Sequence, residues 1–158
     1  MPGALQDLWV MALDRDDLDR FVTAQDAAYQ QAIAELRAGR KRSHWMWFIF
    51  PQVAGLGSSP AAQHYAIRDR AEARAYLEHP VLGPRIVECT ETLLALTGAT
   101  AAEVFGHPDD LKLRSSATLF AEVSRPGSVF DRLLAKYYDG IRDPLTLERL
   151  AQSDITSV

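Results

Sequence analysis

GRKRSHWMWFIFPQ, residues Gly39 to Gln52, contains the one run in this chain whose conformation its own composition leaves open. The basic tripeptide Arg40-Lys41-Arg42 stands almost against the aromatic run Trp45 to Phe50, with Ser43 and His44 between them. WMWFIF has the aromatic and branched content of a strand. Over six residues, however, a buried helix and a buried strand show the same unbroken apolar pattern. The flanking sequence therefore has to decide the fold class.

On both sides the punctuation is helical. Upstream, Leu18, Phe21, Val22, Ala28, Tyr29, Ala32, Ile33 and Leu36 recur at steps of three and four, Asp16 or Asp17 can cap the segment, and Gly39 stands where a helix stops. Downstream, VAGLGSSP reads as a loop, and Ser59-Pro60 as a cap followed by proline at the first helical position. Asp69 can start a further helix through Glu78, ended by His79-Pro80 because proline disfavours helical geometry in the residue before it. A stripe from Leu82 to Leu96 gives another, and Thr100 with Glu103 has the spacing of a capping box. Starts also fall at His107-Pro108, at Ser128 with Asp131, and at Asp143-Pro144. No stretch alternates convincingly. The expectation is an all-α, single compact domain of about seven or eight helices over residues 1–158, with at most a trace of extended structure near 45–50. Residues 1–12 read as an N-terminal appendage and 153–158 as a fraying tail.

The totals agree. At 158 residues, 47% hydrophobic and 24% charged, the chain has the composition of one ordinary globular domain. No apolar run approaches the roughly 20 residues of a membrane span. The N-terminus lacks the basic region of a secretory signal, and a single Cys89 forms no internal disulfide, which together predict a cytoplasmic address. A net charge of −4 opposes polyanions, and only Arg40, Lys41 and Arg42 form a tight basic cluster, so neither nucleic acid nor membrane is an expected partner.

With KRSHWMWFIFPQ at 41–52, GLGSS at 55–59, EARAYLEHPVLGPR at 72–85, FGHPDDLKLRSSATLF at 105–120 and YYDGIRDPLTL at 137–147, the chain resembles a bacterial family filed as domain of unknown function 1810, often mislabelled "calpastatin". The likeness spans about Asp17 to Leu147. It departs at Ala117, where the family more often carries methionine. The resemblance implies a compact helical fold and supplies no catalytic residues, and a fold alone assigns no function.

Two constellations carry possible chemistry. In the first, Trp45, Trp47, Phe48 and Phe50 read most simply as core. Part of the cationic cluster can complement the C-terminus of the preceding helix. Yet Arg40 and Arg42 beside His44, Trp45, Trp47 and Gln52 would also suit an anionic, ring-bearing ligand: guanidinium for phosphate or carboxylate, indole for stacking. In the second, Asp109, Lys112 and Ser116 share a helix face. Ser115 and Ser116 stand mid-helix against their propensity. Close helix packing explains the serines. A pocket lined by Asp110, Lys112, Ser115 and Ser116 is the functional alternative.

No metal-ligand spacing links His44, His64, His79 and His107, and no metal or cofactor is expected. GLGSS could turn backbone amides toward an anion but is not a Walker sequence. Cys89, in a hydrophobic helix, reads as inert. Two functional readings stand. One is a cavity where 40–52 meets 109–116, binding a nucleotide or sugar phosphate through Arg40, Arg42 and Lys112, with His44 or Asp110 as acid–base groups in metal-independent hydrolysis or transfer. The other is a structural or interaction module without activity. Oligomeric state and pathway are not readable from the residues.

Overall fold

The computed structural model describes residues 2–156, with side chains from Leu18 onward. Nine helices are present among them: α1 (Pro2–Arg37), α2 (Met46–Ile49), α3 (Pro60–His64), α4 (Arg70–Glu78), α5 (Leu82–Ala95), α6 (Ala101–Phe105), α7 (Asp109–Glu122), α8 (Val129–Tyr138) and α9 (Pro144–Thr156). The caps do what the sequence predicts. Ser59, Asp69, Thr100 and Ser128 each accept a hydrogen bond from a backbone amide of the first turn that follows. His79 Nδ1 likewise accepts from the amides of Val81 and Leu82, at 3.1 and 3.3 Å.

The architecture is all-α as expected, and it differs from the sequence reading in local detail. The run at 45–50 is a helical turn, which raises the count above seven or eight. The trace of extended structure lies beyond it, as a single parallel bridge between Val53 and Ile67. There is also no helix start at Asp16 or Asp17, because α1 runs unbroken from Pro2. Nothing in Ala4–Leu13 breaks a helix, so the backbone propagates through it. The expected appendage at 1–12 has its side chains outside the described residues. The expected tail is helical as far as Thr156.

The core follows from which faces are apolar. From α1, Leu18, Phe21, Tyr29, Ala32, Ile33 and Leu36 turn inward against α2 and α5. At the centre lies α7, packed against α4, α6, α8 and α9, and its residues from Ser115 to Ala121 are all buried. Ser115, Ala117 and Thr118 are small enough to let neighbouring helices approach. The hydroxyls of Ser115 and Thr118 donate to carbonyls one turn back, at 3.2 and 2.8 Å, and both also meet Asp143 before α9, Ser115 Oγ near its carboxylate at 3.1 Å and Thr118 Oγ1 accepting from its amide at 2.9 Å. Phe21, Tyr65, Tyr76, Phe120 and Phe130 form a chain of ring contacts through the middle, with centroids 5.1–5.8 Å apart.

Candidate functional site

The loop between α1 and α2 is organised by a single carboxylate. Glu35, buried in the last turns of α1, accepts from the amides of Arg42 and Ser43 at 2.6 and 2.9 Å. It also accepts from Ser43 Oγ at 2.6 Å, Trp45 Nε1 at 3.0 Å and Gln31 Nε2 at 2.7 Å. Burial pushes its pKa upward, but the hydrogen bonds from Ser43, the Arg42 amide and Gln31 outweigh that and hold it at about 2. The charge stays, and four of its five donors come from the basic loop and fold it around the carboxylate. Trp45 is thereby fixed in the core at 1% exposure, in ring contact with Phe50 and Phe105.

Two residues on, Trp47 is only half-buried. Lys112 Nζ lies 5.3 Å from its ring centroid and 3.2 Å from Asp109 Oδ1, while Lys41 Nζ lies 3.0 Å from Asp109 Oδ2 and 5.1 Å from the Trp45 ring. One carboxylate is thus shared by two ammonium groups, each over an indole, and the cluster retains one net positive charge. Asp109 sits in the first turn of α7, where a carboxylate is favoured by the helix dipole.

Trp47 and Lys112 line one side of a cavity of about 300 Å3, together with Gln52, Leu111 and Ser115. The other side is the loop carrying Leu56, Gly57, Ser58 and Ser59, held in place by the Val53–Ile67 bridge and by the cap of α3. A second lobe of about 360 Å3 shares Gln52, Leu56, Leu111 and Ser115 with the first, and adds Arg114, Asp143 and Leu145.

Of the residues singled out from sequence, the structure brings together Trp47, Gln52, Lys112 and Ser115. It separates the rest from the cavity. Trp45 and Ser116 are core, and Ser116 Oγ has no hydrogen-bond partner among the described residues. Arg40, Arg42 and His44 are exposed and do not line the cavity. Asp110 is turned to His107 Nδ1 at 3.1 Å, and its carbonyl accepts from Tyr138 Oη. Sequence reasoning missed Arg114, Asp143 and Leu145. Their signals were present but pointed to local structure, since Asp143 reads as a helix cap and serves as one, its Oδ2 accepting from the Thr146 amide at 3.0 Å. Among the described residues no cluster of His, Cys, Asp and Glu could hold a metal ion.

The profile of the family described as "Protein of unknown function (DUF1810)" matches residues 15–150, most of the chain. The chain belongs to this family. A similar fold is seen in the crystal structure of the conserved hypothetical protein Rv1873 from Mycobacterium tuberculosis, which is 55% identical with a TM-score of 0.84. The match covers 85% of this chain and 96% of that one. No curated protein matches. Membership fixes the helical architecture and leaves the biochemical function of this DUF1810 chain unknown, so function has to be argued from the cavity.

Proposed function

We propose that the protein binds a small anionic ligand bearing a planar ring, of nucleotide or sugar-phosphate type, in the cavity between α2, the 55–59 loop and α7. The observation that carries this is the pairing of two half-buried side chains, the indole of Trp47 and the lysine Lys112, in the lining of one cavity. A solvent-facing ring offers a stacking surface, and the net positive charge of the Lys41–Asp109–Lys112 cluster favours an anion beside it. Gln52, Ser58 and Ser115 add short polar side chains along the walls. Acid–base work by His44 or Asp110 is not part of this reading, since neither reaches the cavity.

The proposal leaves nucleic acid and membranes aside. The net charge of −4 opposes a polyanion, and no helix among the described residues is long and apolar enough to cross a membrane. It assigns the protein to the bacterial cytoplasm, a reading supported by its bacterial relative and by the single cysteine, which can form no internal disulfide.

Adenosine monophosphate is the probe. Added to the wild type, it should quench tryptophan emission with a saturable dependence, and Trp47→Phe should remove most of that quench. Quenching that persists unchanged in Trp47→Phe would place the ligand elsewhere. A second reading has its own support: Leu111, Ile141 and Leu145 are apolar and 50–59% exposed near the second lobe, as an interaction surface would be. It predicts concentration-dependent association in sedimentation and no response to any metabolite.

A further inference from the structure

The second lobe has no role in that reading. We infer that it extends the same site, so that the ligand is an elongated sugar-phosphate conjugate, its ring on Trp47 and its hydroxyl-bearing sugar end between Arg114 and Asp143. The inference rests on the proposed ligand being anionic and ring-bearing.

Helix geometry makes the two lobes one groove. Leu111 and Ser115, one turn apart on α7, form the ridge common to both, with Lys112 on one side of it and Arg114 on the other. Ligand pockets commonly measure about 300–1,000 Å3. At about 300 and 360 Å3 each lobe alone is at the bottom of that range, whereas the joined groove suits a two-part ligand.

The chemistry of the far lobe differs from that of the first. Arg114 spends Nε and Nη2 on the carbonyls of Ile141 and Arg142, both at 2.9 Å, and its Nη1 bonds to no described residue. The guanidinium is therefore held rigidly with a donor to spare, an arrangement suited to a phosphate oxygen. Asp143 Oδ2 takes three donors, Ser115 Oγ at 3.1 Å, Thr146 Oγ1 at 2.5 Å and the Thr146 amide. Its Oδ1 accepts from no described residue. A fixed carboxylate with one open oxygen accepts from sugar hydroxyls, as acidic residues do from ribose. Leu56, Leu111 and Leu145 give the groove apolar walls between these groups. A cation for phosphate, an open carboxylate for hydroxyls and a ring platform at the other end describe a nucleoside diphosphate linked to a sugar better than a nucleoside monophosphate.

Isothermal titration with ADP-ribose and with adenosine monophosphate tests this. Wild type should bind ADP-ribose about tenfold or more tightly than the monophosphate. Leu145→Glu puts a negative charge at the far end, at an exposed second position of α9 where glutamate suits the helix. In that variant, and in Arg114→Lys, the preference should fall to about one. Equal affinities in wild type, or a preference that survives both variants, would overturn the extended groove while leaving a ligand in the first lobe. Binding of neither compound to wild type would overturn the proposed function and this inference with it.

Discussion

Glu35 shows how much one side chain can decide. Its carboxylate organises five donors from Gln31, Arg42, Ser43 and Trp45, and so places both the core indole and the start of α2. Its pKa falls from an ordinary 4.5 to about 2 on folding, so its contribution is fully present above pH 4.5 and is lost as pH falls through 2. That shift corresponds to about 3 kcal/mol. Glu35→Gln, which presents an amide to some of the same donors, should lower stability at pH 7 by about 2–4 kcal/mol. Its deficit should shrink between pH 4.5 and 2 in denaturant titrations, and a deficit that stays constant down to pH 2 would contradict the assignment. None of this was legible beforehand. A lone glutamate on a predicted helix reads as solvated, and the donors that converge on Glu35 include two backbone amides, which leave no mark in sequence. The two tryptophans illustrate the same limit, since residues two apart in one aromatic run have opposite fates. Composition identified the run as important and could not say which ring faces out.

At the scale of the helix, sequence did better, because caps are local chemistry. Ser59, Asp69, Thr100 and Ser128 each announced a start that the structure has. The miss at Asp16-Asp17 has the same cause inverted, for a good cap residue inside a run of helix formers is just another helical residue. What pattern could not supply is how helices meet. Gly83, in the first turn of α5, would drive a Cβ to 2.1 Å from the Leu77 carbonyl oxygen of α4. Propensity alone says that Gly83→Ala should gain about 1 kcal/mol within a helix. Backbone overlap should win, and we expect a loss of about 1–3 kcal/mol in thermal or chemical unfolding. A gain would mean that α4 and α5 separate at little cost. Lys136 of α8 makes a comparable junction, its ammonium taking the carbonyls of Leu93 and Leu94, at 3.0 and 2.8 Å, and that of Leu96, at the end of α5. Lys136→Met keeps the aliphatic stem and removes the charge at a helix C-terminus, and should cost about 1–2 kcal/mol. Equal stability in the same assay would show those carbonyls to be satisfied by water instead.

Over the whole molecule, the helical class was readable because the segments on both sides of the aromatic run carried helix punctuation and none alternated, whereas the run that forms α2 carried no such signal. The cavity was readable in part. Trp47, Gln52, Lys112 and Ser115 stood out for their chemistry, and α7 brings the last two beside the first two. Arg40 and Arg42 stood out for the same reason, yet the Glu35-bound loop leaves them exposed outside it. Charge near an aromatic run in sequence does not fix which way the side chains leave the backbone. The account depends on Trp47 and Lys112 serving one ligand. A thermal-shift screen of anionic, ring-bearing metabolites against wild type and Lys112→Ala tests that most directly. A ligand present at about a hundredfold its Kd adds about 2.7 kcal/mol, which for a domain of this size raises Tm by about 5–10 °C. The account predicts such a rise for at least one nucleotide or sugar phosphate in wild type and its loss in Lys112→Ala. No rise with any of them, or an equal rise in both proteins, would contradict it.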